Sequence, residues 1–128
     1  MKRKAPAILL TAAAILAALW VIKPSKTDLG SSELYSEAEI RQAVQIVRDR
    51  FRHFHGCTLF SLSYAGDERS LAESDYNKNY DEAIVINSVF LSPIIRAGAW
   101  DPHEIYTWSF ILMRENGGKW ELLTYGYG

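Results

Sequence analysis

The hydrophobic pattern of the chain changes its period once, at Gly56, and this change restricts the folds that the chain can adopt. Before Gly56, apolar side chains recur every three or four residues, at Ile40, Val44, Val47, Phe51 and Phe54. This spacing predicts an amphipathic helix of about five turns with one face to bury. Gly56 suits the left-handed conformation that commonly ends a helix.

The start of this helix is marked by a capping box at Ser36-Glu37-Ala38-Glu39. The Ser36 hydroxyl is placed to accept a hydrogen bond from the Glu39 amide, and the Glu39 carboxylate to accept one from the Ser36 amide. The sequence therefore predicts that the helix begins directly after Ser36.

After Gly56, segments with the two-residue period of strands follow one another: CTLFSLSY, AIVINSVFLS, EIYTWSFILMR and the end of ENGGKWELLTYGY. The alternation places Phe60, Leu62 and Tyr64 on one face of the first strand. The stretches AGDERS and PIIRAGAWDPH read as connections. One long N-terminal helix followed by four strands predicts an α+β roll, in which the helix packs on a four-stranded antiparallel sheet.

Residues 34–127 resemble the cystatin-like or NTF2-like roll, on the signatures Gly56-Cys57-Thr58-Leu59, Trp108, Trp120 and Gly126-Tyr127. More narrowly, they resemble small extracytoplasmic domains of unknown function from Gram-positive, clostridia-type bacteria. The resemblance implies a fold and a compartment. It implies no activity, because none of these residues is catalytic.

The N-terminal segment carries Lys2, Arg3 and Lys4, followed by residues 5–22 without a charge. This length suits a membrane-spanning helix, and no small-residue cleavage site follows it, so we expect an uncleaved anchor with the C-terminal domain outside the cytoplasm. The alternative is a signal peptide whose removal leaves a secreted protein. The predicted organisation is an anchor or signal segment at 1–22, a tether at 23–35 and a domain at 36–128.

Composition argues against one class of partner, and spacing argues against metal cofactors. The formal net charge of −1 gives no basic excess for binding nucleic acid. Residues 75–82, DYNKNYDE, depart from the calcium-loop template at Tyr80 and Ile86, which predicts a polar turn. His53, His55 and Cys57 straddle the predicted helix end and should diverge, which argues against zinc.

The placement of the acids favours a non-enzymatic domain. Carboxylates lie mostly in predicted turns, and none lies inside an apolar strand run, where burial would raise the pKa of a catalytic base. The alternative is a small-molecule-binding or isomerase-like pocket inside the roll, in which Tyr106, Tyr125 and Tyr127 would donate hydrogen bonds.

The predicted strands are apolar on both faces, whereas one helix covers only one of them. An apolar patch left on the other face would mark an interface. We expect this surface on the aromatic side of the last two strands and call it the aromatic face: Tyr106, Trp108, Phe110, Tyr125 and Tyr127. It would serve a homodimer or a cell-envelope protein. The alternative is that the PIIRAGAW loop folds over the patch.

Overall fold

A computed structural model describes residues 25–95 and 100–127 of the chain. Two helices and five strands lie within these residues. In chain order they are β1 Lys26–Asp28, α1 Glu37–Phe51, β2 Thr58–Tyr64, α2 Asp67–Ser74, β3 Glu82–Leu91, β4 Ile105–Arg114 and β5 Glu121–Tyr127.

The predicted fold class is wrong in its strand count, its sheet type and its helix count. The sheet is five-stranded and mixed, in the order β1-β2-β3-β4-β5, and β1 pairs with β2 in parallel. The remaining neighbours are antiparallel. β1 was missed because three exposed residues, Lys-Thr-Asp, carry no apolar alternation. α2 was missed because this eight-residue segment shows no apolar periodicity: its buried residue is Ser70, and its one large apolar side chain, Leu71, is exposed.

Helix α1 begins as predicted and ends earlier. Ser36 and Glu39 form both hydrogen bonds of the capping box. The helix is 15 residues long and ends at Phe51, and turns carry the chain onward to Gly56. Gly56 has a φ of 79°, which is the left-handed conformation predicted for this residue.

Two β-bulges change which side chains face the helix. In β2 the register shifts between Leu59 and Ser61, so that Leu59 lies opposite Phe90 and the bulged Phe60 is exposed. In β5 the corresponding shift leaves Leu123 exposed and places Leu122 opposite Leu112. A bulge adds one residue to one strand, so alternation counted through it assigns the wrong face.

The core lies between α1 and one face of the sheet. α1 packs on β2 and β3, and its buried side chains are Ile40, Ala43, Val44, Val47 and Phe51. Opposite them, cross-strand pairs bury Ile84 with Leu112 and Ile86 with Phe110. α2 lies beside β3, where the Ser70 hydroxyl accepts a hydrogen bond from the Val85 amide.

The segment predicted as a tether contributes to the domain. Lys26–Asp28 form β1, and Tyr35 packs against the core and donates its hydroxyl to the carbonyl of Ala83 at 2.6 Å. The predicted anchor at 1–22 lies outside the described residues. Among the residues that are described, no helix is long and apolar enough to cross a membrane.

Candidate functional site

The structure brings the five residues of the aromatic face together on β4 and β5. Trp108 lies opposite Tyr127 and Phe110 opposite Tyr125 in the antiparallel register. The ring centroids of Trp108 and Tyr125 are 5.8 Å apart, and those of Phe110 and Tyr125 are 5.2 Å apart. Tyr106 joins the same cluster through Trp108 at 6.3 Å.

Part of this face is covered by α1 and by the loop between β3 and β4. Phe54, just beyond α1, contacts Trp108, Phe110 and Tyr125, with ring centroids 5.3 to 6.2 Å away. Trp100 of the loop packs against Trp108 at 5.9 Å. Tyr106, Trp108 and Phe110 are consequently buried. The aromatic face therefore lies on the side of the sheet that faces the helix, whereas the sequence was taken to leave it open.

The cover stops at β5. Tyr125 is 41% exposed and Tyr127 is 78% exposed, because α1 lies over β2 and β3. β5 is also the last strand of the sheet, and no strand among residues 25–95 and 100–127 pairs with its outer edge. Unpaired edge groups readily accept another strand. The result is an open site, which consists of Tyr125, Tyr127 and the unpaired edge of β5.

The buried half of the cluster contains unpartnered donors. The indole Nε1 atoms of Trp100, Trp108 and Trp120 are buried and have no hydrogen-bond partner among residues 25–95 and 100–127. A buried donor without an acceptor costs about 1–3 kcal/mol. Phe54 was not assigned to this face from sequence, whereas Trp100 is the last residue of the PIIRAGAW loop, whose folding over the face was the alternative expectation. The helical spacing of Phe54 was a usable signal, whereas Trp100 lies in a stretch without periodicity.

Charged groups converge at the other end of the sheet, around Arg114. Its Nη2 donates to Glu39 Oε2 at 2.5 Å and its Nε to Glu82 Oε2 at 2.6 Å. Its guanidinium carbon lies 4.1 Å from the centroid of the Trp120 ring. Hydrogen bonds from the Ser36 amide and from Arg114 lower the pKa of Glu39. This arrangement joins the start of α1 to the start of β3 and the end of β4, which is a structural role.

A second polar cluster surrounds Asp67 at the start of α2. Its carboxylate accepts hydrogen bonds from the Ser32 hydroxyl at 2.5 Å, the Tyr64 hydroxyl at 2.6 Å and the Glu33 amide at 2.8 Å. These donors, Ser32 and Tyr64 foremost, lower the pKa of Asp67. Because two of the three donors are Ser32 and Glu33 and the third is Tyr64 of β2, the cluster holds residues 32–33 against β2 and the start of α2.

The residues considered for metal binding lie apart. His53 and His55 are exposed, and Cys57 is half-buried; burial raises the pKa of the Cys57 thiol. Of the residues 75–82, those up to 81 form turns and a bend and Glu82 begins β3; the Asn77 side chain accepts a hydrogen bond from the Asn79 amide. Within the described parts of the chain, no three His, Cys, Asp or Glu side chains are grouped to hold a metal ion.

Two open hollows are lined by described residues. One, of about 410 Å³, lies between the outer side of α1 and the start of β5, and is lined by Gln42, Gln45, Ile46, Lys119 and Trp120. The other, of about 370 Å³, is lined by Ala65, Arg69, Asn87, Thr107, Ser109 and Tyr127. Neither lining includes a carboxylate, the group that an isomerase-type base would require.

Comparisons with protein-family models, with curated proteins and with solved structures found no match to this chain. The resemblance to cystatin-like or NTF2-like domains therefore stays a prediction. The candidate site rests on its own geometry, which is a buried aromatic stack that continues into two exposed tyrosines at a free strand edge.

Proposed function

We propose that the protein is a non-enzymatic binding or self-association domain, held at the outer face of the cell membrane by residues 5–22. Its contact surface is the open part of the aromatic face, Tyr125 and Tyr127 on β5. The partner is a second copy of the chain or another protein of the cell envelope.

The observation that carries the proposal is the exposure of Tyr125 on a rigid aromatic stack. Tyr125 packs on Trp108 and Phe110 and still leaves 41% of its surface open. Tyrosines held in this way offer a partner a large contact area at a small cost in conformational entropy. The free edge of β5 adds backbone groups that can extend the sheet into a partner strand.

The test uses the full chain in detergent micelles. Self-association is measured by light scattering, and capture of envelope proteins by pull-down, for the wild type and for the double variant Tyr125→Ser, Tyr127→Ser. We expect the affinity of the double variant to fall by roughly tenfold or more, because aromatic side chains at the centre of an interface contribute most of its binding energy. Trp108 is left unchanged, since its burial would confound binding with stability.

The matched control is Tyr76→Ser, which alters a tyrosine that is exposed on the connection between α2 and β3. Association unchanged in the control and lost in the double variant supports the proposal. A wild type that associates with nothing, or a double variant that associates as the wild type does, contradicts it.

A further inference from the structure

β1 determines where the N-terminal segment enters the domain. Because β1 is parallel to β2, with Lys26 opposite Ser61, the chain before Lys26 comes from the end of the sheet at which β2 begins. Arg48 of α1 donates hydrogen bonds to the hydroxyls of Ser25 and Thr27 and holds this entry point in place.

We call this end of the sheet the proximal end. It contains Gly56 after α1, the start of β2, the segment Pro93–Ile95 after β3 and the start of β4. The strand register brings these parts together, since Leu91 pairs with Thr58 on one side and with Ile105 on the other. Gly56 touches Pro93 so closely that a Cβ added at Gly56 would lie 3.0 Å from the proline ring.

The spacing between the apolar run and the sheet is short. Lys23, Pro24 and Ser25 alone separate Ile22 from β1. At about 3.6 Å per residue, a chain of four residues reaches at most about 14 Å, while the start of β2 lies about 10 Å along the strand from Ser61. A bilayer that holds residues 5–22 therefore lies against the domain without a spacer.

The proximal end carries the apolar side chains that such a contact requires. Ile94 is 78% exposed and Ile95 is 80% exposed, and two further exposed apolar side chains are Ile105, at the start of β4, and Phe60, in the first half of β2. Clustered apolar side chains of this kind mark interaction sites on protein surfaces. They lie at the end toward which the N-terminal segment runs, which identifies lipid as the occupant.

The charges at this end are of both signs. Arg50 lies in the last turn of α1 and Arg52 caps its end, while Asp49 lies on the same helix end and Asp101 and Glu104 lie in the β3–β4 connection. A mixed charge gives little attraction to anionic headgroups. The contact should therefore be apolar and form on zwitterionic lipid.

We propose that the proximal end is a membrane-contact surface, in which Ile94 and Ile95 enter the interfacial layer of the bilayer that holds residues 5–22. This inference rests on the membrane attachment in the proposed function. It orients the domain, because the opposite end, with α2 and Tyr76, then points away from the membrane.

The experiment places an environment-sensitive fluorophore on single cysteines in the full chain. Cys57 is the one cysteine of the sequence, so Cys57→Ser provides the background for Ile94→Cys, Ile95→Cys and the control Tyr76→Cys. The proteins are reconstituted into phosphatidylcholine vesicles that contain lipid with a nitroxide near the headgroup. We expect quenching at 94 and 95 to exceed that at 76 by roughly twofold or more, because interfacial side chains lie within 5–10 Å of the headgroup boundary.

Vesicle flotation separates the two ways in which the idea can fail. Protein that floats with the vesicles and is quenched equally at 94, 95 and 76 overturns the inference and leaves the membrane attachment intact. Protein that does not float overturns the attachment, and the inference with it. Circular dichroism checks that each labelled variant is folded. Equal quenching at positions 94 and 95 shows that the signal is not an artefact of a single substitution.

Discussion

At the scale of single residues, Arg114 of β4 is the charged side chain that joins the start of α1, through Glu39, to the start of β3, through Glu82. It is 8% exposed, lies on the Trp120 ring and bonds Glu39 and Glu82. Removing it leaves two carboxylates without their common partner, which for a fully buried pair costs about 3–5 kcal/mol. Both glutamates are partly exposed, so we expect Arg114→Ala to lower the free energy of unfolding by about 2 kcal/mol.

Urea unfolding of the Arg114→Ala variant measures this loss. The matched control is Arg41→Ala, which removes an exposed i,i+4 pair with Glu37 and should cost less than about 0.5 kcal/mol. Equal losses in the two variants would show that Arg114 is no more than a surface charge.

The lowered pKa of the Asp67 carboxyl group should make the stability of the fold depend on pH. Its pKa in the folded protein lies below the ordinary 3.8, so its interactions stabilise the fold above that pH and are lost as the pH falls through the folded-state pKa. Asp67→Asn should therefore lower stability at neutral pH, and its difference from the wild type should narrow on acidification. Urea midpoints at about pH 7 and about pH 2 measure this, with the exposed neighbour Glu68→Gln as control. A difference that stays constant with pH would contradict the role of the carboxylate.

At the scale of secondary-structure elements, the long periodic segments were predictable and the short or irregular ones were not. The capping box located the start of α1, and alternation grouped Trp108 and Phe110 on one face of β4, as the register has them. The bulge at Phe60 was not predictable, because nothing in the local residue pattern marks the extra residue. Alternation also separates two faces without saying which of them the helix covers, so the aromatic face was taken to be open.

The connection between α1 and β2 provides a test of backbone conformation. Gly56 has a φ of 79° and has Pro93 3.0 Å from where a Cβ would lie. Gly56→Ala should lower the free energy of unfolding by about 2 kcal/mol, since the left-handed conformation alone costs an L-residue about 1–2 kcal/mol. Thermal unfolding measures the loss. The control is Gly126→Ala, where a Cβ meets nothing within 4 Å; if that variant loses as much stability, the effect is not conformational.

At the scale of the whole molecule, the folding unit extends further toward the N-terminus than the sequence indicated. A domain that begins at Ser36 lacks β1, whose pairing with residues 61–63 covers the edge of β2. It also lacks Tyr35, which donates to the Ala83 carbonyl and packs edge-on against Trp120 at 5.3 Å. The loss of a fully buried aromatic side chain typically costs about 3–5 kcal/mol, and Tyr35 is partly buried. A bare strand edge also promotes aggregation.

We therefore expect a fragment of residues 36–128 to be less stable than one of residues 25–128 by about 3 kcal/mol or more, and to aggregate more readily. Urea unfolding and light scattering of the two fragments measure these differences. Tyr35→Phe in the longer fragment separates the contributions, because it keeps the ring and removes one hydrogen bond, for a loss of about 1 kcal/mol. If the shorter fragment is as stable as the longer one and remains monomeric, β1 and Tyr35 are accessory to the fold, and residues 25–35 are part of the tether that the sequence predicted at 23–35.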